Sequence, residues 1–331
     1  MSTATAVPPT YELEGDDARE TLRGIGRGRL LRDAFVRFRA ADGFSHARAL
    51  AYQITLTALP GLIAVVGLAT TLHQRSLGRV LEETARGLAP GPAGSVFTQA
   101  IEQGSSKGGG ATALVVGLVA ALLAGTTAMA QIERGANRIY GVERDRPTLR
   151  KYAWGFLLTI SAGLLGVIAF VLLVAGPAIA DAGAAAAGWS DSLVTVWQIA
   201  RWPVGIALVV LSTAMLFKWS PRRRQPSASW LAWGSAISVI LWVVFTASLA
   251  LYLGVSKSFG ETYGPLAGIV GLLLWALLTS IAVFLGLAFA AQLEAVRAGV
   301  PEPRMGVEAN SERDLVLDRP LQTSVAPQPR R

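Results

Sequence analysis

Six long apolar runs divide this chain, and each is long enough to cross a bilayer as a helix. About 20 apolar residues, at about 1.5 Å each, cover the roughly 30 Å of hydrocarbon. The runs lie at Ala47–Leu72, Ala111–Ile132, Ala153–Gly176, Ile199–Phe217, Trp230–Gly254 and Tyr263–Ala291, the third reaching toward the Ala-rich stretch before Gly188. A segment inside lipid must satisfy its own backbone polar groups. The expected fold is therefore all-α, a membrane bundle of six transmembrane helices.

Lys and Arg set the orientation of such a bundle, because they accumulate in cytoplasmic loops while acidic residues count for little. The N-terminal arm holds seven (Arg19, Arg23, Arg27, Arg29, Arg32, Arg37, Arg39) and the segment after the second run six (Arg134, Arg138, Arg144, Arg146, Arg150, Lys151). The segment after the fourth run holds four (Lys218, Arg222, Arg223, Arg224) and the tail six. The opposite side holds five: Arg75, Arg79, Arg86, Lys107 and Lys257. Both termini are expected in the cytoplasm. Arg48 and Arg201 sit at the ends of runs, where a long side chain reaches the headgroups. The net charge of +8 is thus accounted for by insertion and by attraction to anionic lipid, and no nucleic-acid partner is expected.

Composition removes several chemistries. Without cysteine there is no disulfide, thiol nucleophile or Cys-based metal site. His46 and His73, the two histidines, flank the first run and are expected on opposite membrane faces, so they cannot share a metal. No Ser-His-Asp or H-E-x-x-H spacing occurs. Neither a metal nor another cofactor is expected.

Outside the spans, residues 1–28 are read as a disordered arm and 299–331 as a disordered, Pro-rich cytoplasmic tail, leaving 29–298 as the membrane domain. Leu30, Leu31, Ala34, Phe35 and Phe38 recur at helical spacing among Arg29, Arg32, Arg37 and Arg39, which predicts an amphipathic helix on the cytoplasmic leaflet or a docking helix for a partner. The outside loop at 73–110 carries Leu77, Val80, Leu81, Thr84 and Leu88 on one helical face and a second apolar set, Val96, Phe97, Ala100 and Ile101, after Pro90-Gly91-Pro92. It either caps a cavity or rests on the bilayer.

Within the spans, small residues dominate. Ala113, Gly117, Ala121 and Gly125 repeat every fourth position, as do Gly264 and Gly268, and Ala282, Gly286 and Ala290. That spacing lets helices approach closely. No ionisable residue falls near a span centre, which disfavours a simple proton-coupled pump. Pro60 lies in the middle of the first run and frees the Leu56 carbonyl. A kink there, with Gln53, Thr55 and Thr57 on the turns below, either lines a polar cavity or is satisfied by neighbouring helices. Glu133, Arg134 and Asn137 share neighbouring faces where the second run ends, either as a cytoplasmic gate or as an ordinary charged helix end.

Ala51-Tyr52-x-x-x-x-Thr57-x-x-Pro60, preceded by a basic amphipathic arm, resembles the first span of the BrkB/YihY family, the YhjD/YihY/BrkB envelope integrity proteins once labelled ribonuclease BN. Thr57 stands where that family usually has Ser. Asn137-Arg138-Ile139-Tyr140-Gly141-Val142 is similar to its Asn-x-Ile-Trp/Tyr-x-Val segment. Trp230, Gly234, Trp242, Phe245, Tyr252, Tyr263-Gly264, Leu274-Trp275 and Leu285-Gly286 follow in the family's order. The resemblance covers roughly residues 30–298. One departure is Gly286-Leu287-Ala288, where members commonly carry Gly-Ala-Glu. Glu294 is read as a membrane-edge residue that does not replace the missing carboxylate.

The resemblance implies a multi-pass protein of the bacterial inner (plasma) membrane with a role in envelope integrity. The ribonuclease label is rejected, because phosphodiester cleavage needs a metal or acid–base cluster that the sequence lacks. The expectation is a non-enzymatic protein that moves or organises an amphipathic envelope lipid. Arg48, Tyr52, Gln53, Thr57 and Pro60 are candidates for the substrate path, and Glu133, Arg134, Asn137 and Arg138 for its cytoplasmic rim. Gly117, Gly125, Gly264, Gly268 and Gly286 are candidates for helix packing. Membrane lipids, anionic ones among them, and envelope-assembly proteins are the expected partners. The alternative is a scaffold that holds such proteins together without transporting anything.

Overall fold

The computed structural model describes residues 3–10, 12–24, 26–71, 109–174, 176–301 and 303. The predicted features at 73–108, His73 and most of the tail lie outside them. The described residues are helical, without strands. In chain order they form α1 (Gly15–Gly24), α2 (Arg27–Ala40), α3 (Gly43–Thr71), α4 (Gly109–Ile139) and α5 (Thr148–Leu158). A π-helical turn at Thr159–Gly163 leads into α6 (Leu164–Val174). Then come α7 (Gly176–Ala187), α8 (Asp191–Trp219), α9 (Ala228–Val255), the short α10 (Lys257–Tyr263) and, after a 3₁₀ turn at Gly264–Leu266, α11 (Ala267–Arg297).

Five of these stretches are long and apolar enough to cross a membrane: Gly110–Ile139, Thr148–Leu173, Asp191–Trp219, Ala228–Val255 and Ala267–Arg297. α3, also 29 residues long, falls outside that set and mixes Ser45, His46, Arg48, Gln53, Thr55 and Thr57 into its first turns. α8 and α9 outrun their apolar runs because their caps lie beyond them, whereas α11 starts at Ala267, inside the run that begins at Tyr263. The Ser190 hydroxyl accepts the Leu193 amide at the start of α8, and Ser227 accepts that of Trp230 at the start of α9. Each satisfies a donor that the first turn leaves without a helical partner. The Ala-rich stretch is a separate helix, α7, which ends at Gly188 in a left-handed conformation (φ 64°).

Packing partners run in a closed circuit, α3–α4–α5/α6–α8–α9–α11 and back to α3. α3 and α4 make the tightest pairing. A Cβ on Gly117 would lie 2.5 Å from the Ala64 amide nitrogen and 2.9 Å from the Pro60 carbonyl oxygen, and one on Gly67 would meet the Leu114 backbone. At Gly286 a Cβ would collide with Ser238 and the Gly234 carbonyl, which fixes the α9–α11 crossing, and at Gly125 it would press on the Thr159 methyl at 2.8 Å. Gly117, Gly125 and Gly286 are therefore close-approach positions, as expected of small residues.

Gly264 is not. It lies in the 3₁₀ turn with φ 46° and nothing within 4 Å of its would-be Cβ. The Gly264–Gly268 spacing is a turn followed by a helix start rather than a packing motif, because Pro at the second position of that turn and the left-handed glycine interrupt the helix. Gly268 is half-buried in the first turn of α11.

The apolar core sits at one end of the bundle, where Phe38, Leu50, Ile132, Ile139, Phe217, Trp230, Phe284, Leu287 and Leu293 are buried together. The N-terminal arm, expected to be disordered, belongs to this core. Ala4, Val7, Leu13 and Ala18 are buried within it, and α1 packs on α9 and α11. The Ala4 amide donates to the Arg138 carbonyl (3.0 Å), the Val7 amide to that of Tyr140 (3.3 Å), and the Ser227 amide to that of Leu13 (3.1 Å). Close contact at Gly141 (φ 74°) makes room: a Cβ there would lie 2.5 Å from the Ala6 Cα. A few well-placed apolar contacts and backbone bonds hold a segment whose composition alone would leave it unfolded.

Candidate functional site

The end of the bundle crossed by the N-terminal segment carries a charged cap in two connected parts. The first joins the end of α4 to the loops at 140–147 and 220–227. Glu133 is 2% exposed. Its Oε1 accepts the Arg146 backbone amide at 3.0 Å, and its Oε2 pairs with the Arg146 guanidinium at 2.9 Å. Arg146 also donates to the carbonyls of Ser220 (2.7 Å), Trp219 (3.3 Å) and Pro221 (3.0 Å), and it stacks on Trp154. The last carbonyls of α8 thus find donors they lack within the helix.

Asp145 organises the other side of this part. It accepts from Asn137 Nδ2 (2.9 Å) and Lys151 Nζ (3.0 Å), with Arg134 and Arg138 at 3.8 and 3.9 Å. Partial burial pushes its carboxyl up, but the hydrogen bonds from Asn137 and Lys151 and the nearby charges of Lys151 and Arg138 outweigh that and hold it below the ordinary carboxylate range. Asn137 Oδ1 accepts the Arg222 amide (2.7 Å), and Arg138 donates to the carbonyls of Val142 and Glu143, each at 2.7 Å.

The second part lies under residues 3–10. Glu294 is buried on α11; its Oε1 accepts from Arg223 Nη2 (2.6 Å) and from the hydroxyl (2.6 Å) and amide (3.2 Å) of Thr10. Arg223 covers the ring of Tyr140 at 4.5 Å. Arg37, fully buried on α2, donates to Gln292 Oε1 (2.8 Å) and to the carbonyls of Thr5 (2.8 Å) and Ile139 (3.3 Å). Glu294 is thus an interior ion-pair partner, with the small residues Ala288, Ala290, Ala291 and Ala295 on the same helix buried with it.

The predicted rim is assembled here. Glu133, Asn137 and Arg138 are buried and joined, and Arg134 is half-exposed beside them. They are not an ordinary exposed helix end. The predicted path is split between two faces of α3. Gln53 Oε1 accepts from Thr127 on α4 (2.8 Å) and the Thr57 hydroxyl donates to the Gln53 carbonyl (2.7 Å), while the Pro60 carbonyl faces Gly117. Those three serve helix packing and do not line one polar channel with Arg48 and Tyr52, which are exposed on the outer face.

Sequence reasoning missed Arg37, Asp145, Arg146, Lys151, Arg223, Gln292 and Glu294 as site residues. Only Glu294 carried a readable signal: a carboxylate set among alanines on a closely packed helix.

The family model described as "Virulence factor BrkB" matches residues 34–310. The chain belongs to the BrkB family. Among BrkB-like relatives, it is 27% identical over 259 residues to the ribonuclease-like protein YfkH of Bacillus subtilis (strain 168), covering 77% of this chain and 92% of that one. It is 27% identical over 265 residues to the UPF0761 membrane protein azo3165 of Azoarcus sp. (strain BH72), covering 78% of this chain but only 62% of that protein. To the UPF0761 membrane protein Smlt0865 of Stenotrophomonas maltophilia (strain K279a) it is 25% identical over 301 residues, covering 89% and 67%. No solved structure matches. This BrkB-family chain is therefore an integral membrane protein, and the cap described above is a feature of its fold.

Proposed function

We propose that this BrkB-family protein spans the bacterial inner membrane six times with both termini in the cytoplasm, and moves or organises an anionic envelope lipid along the outer face of α3. The observation that carries this reading is one stripe on that helix. Arg48, Tyr52, Leu56, Leu59 and Ile63 follow one another at intervals of three or four residues, and all are exposed, Tyr52 at 58% and Leu59 at 47%. A guanidinium, then an amphipathic ring, then aliphatic side chains repeats the headgroup, interface and tail of a lipid in the same order. Phe35 and Phe44, which stack edge to face and are both exposed, border its basic end. Among the described residues Arg48 bonds only to the Ser45 hydroxyl one turn away (3.0 Å) and to no carboxylate.

The test is transbilayer movement of fluorescent anionic and zwitterionic lipids in proteoliposomes, for the protein and for Arg48→Glu. Movement above that in empty liposomes, favouring the anionic lipid and lost in the variant, is the expected result. Equal, background-level movement for both, with the protein shown to be folded, overturns transport and leaves the scaffold.

A further inference from the structure

Arg37 and Arg223 bring two guanidiniums into the interior around a single carboxylate, Glu294. Arg37 makes no ion pair among the described residues. Its acceptors, Gln292 Oε1 and the Thr5 and Ile139 carbonyls, are all neutral, and its Nη2 has no partner. A buried guanidinium without a countercharge is costly, and burial here draws its pKa down to about 10. Arg223 Nη1 is likewise buried without a partner among the described residues, and the Tyr140 hydroxyl and the Gln225 side-chain amide, buried beside it, have at most each other. The unpartnered acceptors in the same cluster are Gln225 Oε1 and Glu294 Oε2. Donors therefore outnumber acceptors, and the cluster carries one excess positive charge.

What covers the cluster has the chemistry of a substitute. The N-terminal segment lays the Thr5 carbonyl on Arg37 Nη1 (2.8 Å) and the Pro8 carbonyl on Arg223 Nη2 (3.4 Å). These are oxygen acceptors of the kind an oxyanion supplies, but without its charge.

We propose that Arg37 and Arg223, with Tyr140 and Gln225, form a binding site for a phosphodiester monoanion, and that residues 3–10 cover it until the ligand's oxygens displace the Thr5 and Pro8 carbonyls. One negative charge matches the excess, and the forked geometry of guanidinium suits phosphate oxygens. As the site of a lipid headgroup, this rests on the lipid-handling reading above. As a site for a free phosphodiester, it stands alone.

Binding is measured on the full-length protein in detergent, with dimethyl phosphate as the free diester and short-chain phosphatidylglycerol as the lipid, against short-chain phosphatidylcholine as the zwitterionic control. Arg37→Gln and Arg223→Gln are each expected to weaken binding by about tenfold or more, with the unfolding midpoint as the check on folding. Should either fail to fold, the double variant Ala4→Asn, Val7→Asn keeps both arginines, adds no charge beside them and loosens the cover. It is expected to bind several-fold tighter, and ligand is expected to speed tryptic cleavage at the exposed Arg19 and Arg23 in the unaltered chain. Binding of dimethyl phosphate alone supports the site and removes the lipid as its source. Binding of phosphatidylglycerol supports both. Binding unchanged in folded arginine variants, or no binding of either probe by the unaltered and loosened proteins, overturns the site. Absence of lipid movement in proteoliposomes, with both probes bound, would sink the transport reading and leave this one standing.

Discussion

Individual residues in the cap differ sharply in what they contribute. Removing one partner of a buried ion pair strands the other, at a cost of about 3–5 kcal/mol, whereas an exposed charge contributes a few tenths. Glu294→Ala would strand Arg223 and leave Arg37 with no carboxylate nearby, so its unfolding midpoint in detergent should fall steeply. Arg48→Ala should leave the midpoint nearly unchanged. Asp145 supplies a test by pH. Its carboxyl is held below the ordinary range, so the stabilisation it gives is complete above the unfolded value of about 3.9 and is lost as pH falls through the folded value. The difference in midpoint between the protein and Asp145→Asn should be flat from about pH 7 to 5 and shrink toward pH 3. A difference that grew on acidification would contradict the network drawn around Asp145.

At the scale of helices, close approach is the organising fact. The α3–α4 crossing leaves no space for a side chain at Gly117, while nothing lies within 4 Å of a Cβ on Gly61. Gly117→Leu should push the helices apart and cost about 1–3 kcal/mol or more. Gly61→Ala should be neutral or stabilise by about 0.4–1 kcal/mol, through reduced freedom of the unfolded chain and better helix propensity. Unfolding of both variants in the same detergent decides it. The crossing also explains why Pro60 produces no polar channel in α3. Its carbonyl, Ala64 and Gly67 all press on α4, so the region around the proline serves as a contact surface.

For the whole molecule, helix identity was legible because apolar length is a local property. Each apolar run is helical: the fourth and fifth extend outward to caps at Ser190 and Ser227, the third is broken by a π-helical turn, and the sixth starts late, at Ala267. What was not legible joins residues far apart in sequence. Glu133 meets Arg146 across a loop, Arg223 meets Glu294 across two helices, and Thr10 meets Glu294 across 284 positions. No period or motif announces such pairs. The N-terminal segment escaped for a related reason: Ala4, Val7 and Leu13 are too few to make a period, and their backbone partners, Arg138, Tyr140 and Ser227, are far away in sequence. The proposed six crossings can be tested directly. Because the chain has no cysteine, single cysteines can be read cleanly with a membrane-impermeant thiol reagent. Cysteines replacing Glu143 and Arg222 should be labelled from one side and those replacing Lys107 and Ser190 from the other; any other partition removes the six-crossing topology.

Thr10 leaves the ribosome before the six apolar runs described above, yet its hydroxyl waits for Glu294, on the last of those helices in chain order. Residues that precede all six runs are therefore among the last to settle. Until they do, Arg37, Arg223 and Glu294 lack their cover. A bulky tag fused at the amino end would hold the molecule in that unfinished state, and a cell that surveys nascent membrane proteins would have an exposed amino-terminal peptide by which to recognise it.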